Sequence, residues 1–473
     1  MRGTEGDEAI HKNIGIVHMK TKLIKTFTFF GVLFAATTFA QETVFTGSLT
    51  AQAGVGLPNT HHNKGDFLLG QTIFEGTVKS YFEESMIYVN GQIVHDALGG
   101  QSTNGYSAFV ADDGTYALKL REAYVDWKGE LLALRIGRQI TSWGKADDIQ
   151  ITDVLNPRDE TNVVAADYNE SKLGIDAVRL SLLTEKTQVD AYWIPFFTPS
   201  ILPLAKGNPL NAQVFPREYD GARIGVPENY SDFELPEKKL SHSELALRAS
   251  VYTSVADLSL YGFYGWDDLP LIKYNPYINE MYEENVLDTL LVTGEYKRMY
   301  MAGADAAIPA GDFVFRLEGA FFPKRHIQTT AEYQIEEFVS DNKIPTSERK
   351  NQAVGLAGLD WTPSGGWTIT AQYVMDKVFD YDDNLDRRDY EHQATLSIEK
   401  SILNETLTIM ASGAFDLRYF SSASELEIDY KFTDAITLSL IGDLYLDSPT
   451  SKHGMYDDYH DFSSVTVKGK MSF

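Results

Sequence analysis

The chain has 473 residues, with 41 Lys and Arg against 67 Asp and Glu, a formal net charge of −26 and no cysteine. This acidity argues against nucleic acid as a partner, and against binding to an anionic lipid surface without divalent cations. The missing cysteines exclude disulfides and cysteine-ligated metals. With 26 Phe and 26 Tyr, the chain is also rich in aromatic residues. Together with the export signal described next and the lack of another apolar stretch of about 18 residues, this composition fits an exported β protein or an outer-membrane β-barrel.

The N-terminal region has the layout of a secretory signal peptide. A basic stretch from Met19 precedes the apolar run 27–36, and small residues occupy the two cleavage-critical positions before Gln41. We therefore predict that 19–40 is a cleaved signal peptide and that 41–473 is one domain. A buried N-terminal helix is the alternative for 19–40. Residues 1–18 are polar and are interpreted as a non-native extension or a mis-assigned translation start.

Alternating apolar and polar residues predict long strands along the rest of the chain. Residues 436–446 are typical, because Ile436, Leu438, Leu440, Leu444 and Leu446 fall on one face. Such segments run for about ten to thirteen residues, whereas strands of soluble proteins usually have about five or six. A tilted strand needs about 9–11 residues to cross a bilayer.

The connections between these segments alternate between short and long. This pattern is typical of outer-membrane barrels, which have periplasmic turns and long extracellular loops, and closure of the barrel satisfies every backbone group in lipid. The predicted fold is all-β, a transmembrane antiparallel up-and-down β-barrel of about 18 strands (16–18). The short links are 128–130, 184–186, 254–257, 309–312, 363–366, 403–406 and 433–435. The long links are 97–114, 142–171, 197–241, 267–290, 325–350, 379–390 and 448–461, with 418–422 a short link on the long side.

The hairpin at 120–148 and the loop after it carry a recognisable motif. Its residues are Arg121, Glu122, Ala123, Tyr124, Arg135, Gly137, Arg138, Gln139, Trp143, Gly144, Asn156 and Pro157. This motif resembles that of a family of porin-like outer-membrane barrels known as a domain of unknown function. The resemblance implies an outer-membrane location and the passage of small or hydrophobic molecules.

The same hairpin presents a charge problem. Strict alternation would place Arg138 on the lipid face with Ile136, at a cost of roughly 2–4 kcal/mol near the membrane centre. We predict two β-bulges, near Gly137 and near Arg121-Glu122, with residue 121 opposite residue 137. Arg121, Glu122, Arg135 and Arg138 would then form an interior charge cluster. In the alternative, Arg138 lies high enough to reach the lipid headgroups.

Other charged residues are assigned to the lumen by alternation. They form a basic wall and an acidic wall, which would either line a wet pore or pair within a blocked barrel. The basic wall contains Arg179, Arg248 and Arg316, with Glu318 nearby, and the acidic wall contains Glu425, Glu427 and Asp429. About 18 strands enclose enough space for an aqueous channel.

The proline-rich loop 197–241 is predicted to narrow that channel. Its apolar patch is unusual for a solvated loop. The patch would form a constriction, a lid or an entrance for apolar ligands, or would simply pack against neighbouring loops. Its members are Phe196, Phe197, Ile201, Leu202 and Leu204.

Two acidic loops and the C-terminus suggest partners. Aspartates crowd 380–389 and 457–461, where oxygen ligands could bind calcium and bridge to lipopolysaccharide, although charge runs are usually just solvated. The closing strand ends in Phe473, resembling the signal read by the barrel-assembly machinery, but Lys468 stands where that pattern has glycine.

The sequence contains no GxSxG, HExxH, P-loop or dinucleotide-binding motif, and we predict neither enzymatic activity nor a cofactor. The predicted function is an outer-membrane porin-like channel for passive or substrate-selective diffusion of small solutes, in contact with lipid and lipopolysaccharide. A transporter of hydrophobic molecules gated by loop 197–241 is the alternative. A surface adhesin or an enzyme with a site at the rim ranks below both.

Overall fold

The structure is a computed structural model that describes residues 40–58, 63–102, 109–165, 167–214, 218–219, 222–225, 233–279, 286–341 and 343–473. The predicted N-terminal extension and nearly all of the predicted signal peptide lie outside these residues. No helix in the described ranges is long and apolar enough to cross a membrane.

The described residues form strands almost throughout, with two short α-helices, α1 (Asn211–Val214) and α2 (Ala331–Asp341). The strands are β1 (Glu42–Gly56), β2 (Phe67–Tyr81), β3 (Ser85–Asp96), β4 (Phe109–Val110), β5 (Tyr116–Lys128), β6 (Leu132–Gln139), β7 (Ile175–Leu183), β8 (Thr187–Ile194), β9 (Glu218–Tyr219), β10 (Ala222–Gly225), β11 (Phe233–Glu234), β12 (Glu244–Tyr252), β13 (Asp257–Trp266), β14 (Leu271–Asn279), β15 (Val286–Glu295), β16 (Arg298–Ala310), β17 (Phe313–Gln328), β18 (Ser347–Trp361), β19 (Trp367–Val378), β20 (Tyr390–Ile402), β21 (Leu407–Asp416), β22 (Ser422–Thr433), β23 (Ile436–Leu446) and β24 (Ser464–Ser472).

Eighteen of these strands close into one antiparallel barrel, as predicted. Each pairs with the next barrel strand along the chain, and β24 pairs with β1 to complete the ring. At this seam the Phe473 ring packs beside Phe74 and lies directly over Gly47. The barrel strands meet at short turns at one end and long loops at the other, which defines the periplasmic and extracellular ends.

Side chains alternate between lipid and lumen along each strand. On β17, Phe315 and Leu317 are exposed on the outer face, whereas Arg316 and Glu318 are buried inside. Outside the barrel, β9, β10, β11, β14 and β15 form a small second sheet from the extracellular loops, with β14 and β15 as its hairpin.

The bulge predicted near Arg121-Glu122 is confirmed. The β3–β5 register passes from Asn90 opposite Glu122 to Gly91 opposite Leu120, so Arg121 is the extra residue. The bulge shifts the lipid face from Leu118 and Leu120 to Val125 and Trp127, and both of the latter are exposed.

The bulge predicted at Gly137 is wrong. Gly137 lies opposite Tyr124, not residue 121, and the pairing of β6 with β5 and with β7 is continuous. Continuous pairing preserves alternation, so Arg138 shares the outer face with Ile136, where Nε and Nη2 bind the Asp176 carboxylate at 3.0 Å each. The neighbouring carboxylate compensates the outward charge that the predicted bulge was meant to turn inward.

Gly137→Ala is expected to destabilise the barrel. Gly137 has φ +127°, and an added Cβ would lie 2.3 Å from the Ala123 carbonyl oxygen. A non-glycine residue in such a backbone conformation costs about 1–3 kcal/mol. On gels, the heat-modifiable band of the folded barrel should disappear at a lower temperature in the variant than in the native protein. The control is Gly262→Ala in β13, where a Cβ meets nothing within 4 Å; equal shifts in both variants would contradict this expectation.

Candidate functional site

The long connection between β6 and β7 enters the barrel. We call residues 142–172 the inserted segment. The sequence predicted this region as an external loop, but its hydrogen bonds run to lumen-facing side chains of β13, β17 and β19. The prediction of an external position is therefore wrong, because this segment lies inside the lumen.

Apolar packing explains why a charged segment lies inside. Trp143 is 5% exposed and contacts the rings of Tyr192 and Tyr261 on the barrel wall. Further along the segment, Ile151 and Val154 are buried in the same cluster. Their partners on the wall are Ile175, Ala177, Ile194, Ala246, Phe263, Met299, Met301, Ala320, Phe322, Leu356 and Val374.

Glu318 is the principal polar anchor of the inserted segment. Its Oε2 accepts hydrogen bonds from the backbone N–H groups of Lys145 and Ala146 at 2.5 and 2.8 Å. Its Oε1 accepts from the Thr152 N–H and hydroxyl at 2.9 and 2.7 Å. Gly144 has φ +82°, and a Cβ there would lie 2.4 Å from this carboxylate. Glycine at 144 thus permits the close approach.

Two further wall residues hold the same turn. Arg316 donates to the Lys145 carbonyl and to Asp147, each within 2.7 Å. Gln372 accepts from the Asp147 N–H at 3.0 Å and donates to the Asp147 carbonyl. Because β17 and β19 contact consecutive residues, the turn is fixed on that side of the lumen.

The two ends of the inserted segment are tied together where it enters and leaves the wall. Asn156 accepts from the Thr141 N–H and donates to the Leu173 carbonyl. Lys172 Nζ lies 2.5 Å from the Asp153 carboxylate, and both side chains are about 5–6% exposed. Asp153 also accepts from the Trp143 N–H at 3.1 Å.

The second half of the segment crosses to the opposite wall. The Ala165 N–H donates to Asp443 of β23 at 3.1 Å, and the Tyr445 hydroxyl donates to the Val163 carbonyl. Val164 is buried against Leu69 in this region. The segment therefore spans the lumen from the β17–β19 side to the β23 side.

Charges of both signs face the narrowed lumen from the segment. Although the side chain of Asp148 is exposed, the surrounding protein partly desolvates it and so raises its pKa; the nearby carboxylates of Asp147 and Asp167 raise the pKa further, while Arg158 and Lys172 oppose that rise. The guanidinium of Arg158 lies 4.3 Å from the centre of the Tyr168 ring. The inserted segment thus carries a carboxyl with a raised pKa and a guanidinium that lies over an aromatic ring.

A polar cavity of about 160 Å³ remains between the inserted segment and the wall formed by β1, β2, β3, β5 and β24. Its wall is rich in amide and hydroxyl groups and carries four basic side chains. Those side chains are Lys119, Arg121, Lys468 and Lys470.

Most predicted lumen residues do face inward. Arg121 lines the polar cavity, Glu122 accepts from the Ile140 N–H, and Arg135 binds Asp126 at 2.8 Å. Arg179 lies directly opposite Arg135 on β7. Arg138, on the outer face, is not part of this cluster.

The remaining predicted charges are partly paired. Arg248 binds Asp190 at 2.9 Å, and Arg316 binds Asp147 and Asp360. On β22, Glu425, Glu427 and Asp429 share the inner face, and Glu427 lies 3.5 Å from Lys468. Carboxylates thus neutralise several of these basic side chains locally, and a basic wall that faces an acidic wall stays a prediction.

The apolar patch of the proline-rich loop packs among loops. Leu202 and Leu204 are buried against Leu290 and Val292 of the small second sheet. Ile201 is fully buried beside Leu173, Phe197 contacts the rings of Trp266 and Tyr296, and Phe196 is exposed. These contacts match the alternative of packing against neighbours, and a lid role stays a prediction.

Carboxylates in the two acidic loops bind guanidinium or backbone N–H groups of the protein. Asp389 binds Arg418 at 2.7 Å, while Asp457 accepts from the Gly454 and Ser448 N–H groups. Among the residues that the structure describes, no three His, Asp or Glu side chains come together to hold a metal ion.

One sequence signal could have revealed the insertion. On β13, Leu258 and Leu260 face lipid, yet Tyr261 and Phe263 on the inner face are also large and buried. A strand that is apolar on both faces is buried on both sides. An inner partner for β13 was therefore required, although its identity was not encoded locally.

The closed ring of 18 strands and its inserted segment define a porin-like barrel. Solved structures with this fold include OccK8 (OprE) of Pseudomonas aeruginosa, at 8% identity and TM-score 0.52, covering 92% of this chain and 98% of that one. OccAB1 of Acinetobacter baumannii has 9% identity and TM-score 0.50, covering 92% and 97%. The outer-membrane channel DcaP of Acinetobacter baumannii has 10% identity and TM-score 0.43, covering 91% and 97%.

The sequence profile of the family described as Protein of unknown function (DUF1302) matches residues 59–432. The chain belongs to this family, as the hairpin motif predicted. No curated protein matches the chain.

Proposed function

We propose that the chain is an outer-membrane, porin-like channel of a Gram-negative-type cell, through which small solutes diffuse. The observation that carries this proposal is the inserted segment, held across the lumen by wall side chains such as Glu318 and Asp443. A segment fixed inside a barrel of 18 strands narrows an otherwise wide lumen without requiring a moving part.

Selection would arise from size and charge together. The polar cavity beside β1 and β24 offers amide, hydroxyl and lysine groups to a passing solute. The acidic side chains of β22, together with the net charge of −26, favour cations at the mouth. The proposed channel is therefore polar, narrow and weakly cation-preferring.

The test is single-channel recording of the membrane-extracted protein in a planar bilayer under a KCl gradient. We expect stepwise currents whose reversal potential indicates cation preference. That preference should fall as the pH is lowered, because the raised pKa of Asp148 lets it lose its charge above the usual range for a carboxyl. Asp148→Asn should have a lower preference that varies less with pH. A barrel that never conducts, even after the inserted segment is released, would refute the proposal.

A further inference from the structure

A second cavity, of about 220 Å³, lies on the extracellular side of the inserted segment. It is bordered by the segment and by the extracellular halves of β16 to β20. Met299, for example, is the second residue of β16, and Gln393 is the fourth of β20. A solute that enters the barrel from outside meets this cavity before the narrow part.

The floor of the cavity is apolar. Ile151 and Val154 of the inserted segment meet Met299, Phe322 and Val374 of the wall, and each is at most 6% exposed. These side chains are largely buried against one another, and an apolar group in the cavity would remove from water the small apolar area that still faces it. The floor therefore favours a ligand with a hydrocarbon body.

The rim of the cavity is charged, with carboxylates in excess. Arg325 binds Asp267 at 2.7 Å, and Arg387 binds Asp376 at 2.9 Å. More distant pairs, at 3.8 Å each, join Arg158 with Glu160 and Arg387 with Glu391. The carboxylates that line the cavity are Glu160, Asp267, Asp268, Asp376 and Glu391.

Of the five carboxylates that line the cavity, Asp268 is the one that forms no ion pair with a described basic side chain. Among the described residues, no hydrogen-bond donor reaches its side chain, and its backbone carbonyl accepts from the Ser200 N–H at 3.0 Å. Burial raises the pKa of Asp268 well above its usual range, and the nearby carboxylates of Glu244, Asp267 and Glu160 raise it further against Arg325. Asp268 is half-buried, so its ionised carboxylate is partly desolvated without a partner, and a cationic donor would offset that cost.

We infer that this cavity binds a small amphipathic amine, with its ammonium group on Asp268 and its hydrocarbon body on the Met299–Phe322 floor. The cavity is smaller than the pockets of roughly 300–1,000 Å³ that hold drug-sized ligands, so the ligand is small. An ammonium beside Asp268 stabilises the ionised carboxylate, whereas an anionic ligand would meet the excess of negative charge. This inference adds a substrate class to the proposed channel, but the binding site itself requires no conduction.

The test is calorimetric titration of the detergent-solubilised full chain with n-hexylammonium chloride, after subtraction of titrations into micelles alone. We expect saturable binding at one site that weakens at least tenfold in Asp268→Asn. Asp268→Glu, which keeps the carboxylate, should recover part of the affinity. The matched control is Asp312→Asn, which removes an exposed charge at a periplasmic turn and should leave binding unchanged.

Two further ligands separate the contribution of the hydrocarbon body from that of the positive charge. Methylammonium lacks the hydrocarbon body, and hexanoate reverses the charge, so neither should bind saturably. Equal binding of hexanoate, or unchanged binding in Asp268→Asn with native heat modifiability, would overturn the inference. Because calorimetry does not need current, a chain that binds the amine but never conducts would refute the channel and leave the site standing.

Discussion

Glu318→Gln is expected to raise the single-channel conductance several-fold and to make the current noisy. The carboxylate accepts four hydrogen bonds from the inserted segment. Glutamine keeps one acceptor oxygen and turns an NH₂ group toward two of the donors. Hydrogen bonds to a charged group contribute about 1.5–3 kcal/mol each, so loss of two should let the turn at 144–152 leave the wall.

The matched control is Glu75→Gln. Glu75 also faces the lumen, but among the described residues its hydrogen-bond donors are the wall side chains Asn90 and Gln92. The Glu75→Gln substitution removes the same charge without changing a contact of the inserted segment. The conductance of this variant should therefore stay near that of the native protein. Indistinguishable conductances for the two variants would show that Glu318 does not hold the constriction. Heat modifiability of both variants should remain native, because the barrel hydrogen bonds are unchanged.

Lys172→Met is expected to expose the inserted segment to protease while leaving the barrel folded. Lys172 and Asp153 form a buried ion pair, at 2.5 Å, between the last residue of the segment and its middle. Removal of one partner of such a pair costs about 3–5 kcal/mol, because the other charge stays buried alone. Protease added to the folded protein should cleave within 142–172, as read by mass spectrometry, with native heat modifiability.

The double variant Asp153→Asn/Lys172→Met should regain much of the protection. It removes both charges, and the asparagine oxygen can still accept from the Trp143 N–H that Asp153 now binds. Replacement of both members of a buried ion pair is often neutral. The exposed pair Lys239–Glu237 provides a control, since exposed pairs contribute only about 0–1 kcal/mol. Cleavage of Lys239→Met as rapid as that of Lys172→Met would refute a specific role for the buried pair.

In the β5–β6 hairpin, the sequence predicted the bulge but not the position of Arg138. The slip of the lipid face from Leu120 to Val125 was visible in the sequence, because a strand cannot keep Leu118, Val125 and Trp127 on one face without an extra residue. The position of Arg138 was not visible, because its partner Asp176 belongs to the next strand, 38 residues away. Compensation of a charge across strands depends on register, which turn geometry sets.

The class of fold followed from the sequence alone. The alternation of apolar and polar residues and the length of the turns are local properties, and they recur along the 18 strands of the barrel. The occupant of the lumen was decided only by tertiary structure. The sequence alone predicts an exposed loop at 142–171. The wall residues that bind this region, Glu318, Arg316 and Gln372, lie about 170 to 230 positions further along the chain. Burial of polar backbone requires such partners, and partners so distant in sequence meet only when the barrel closes.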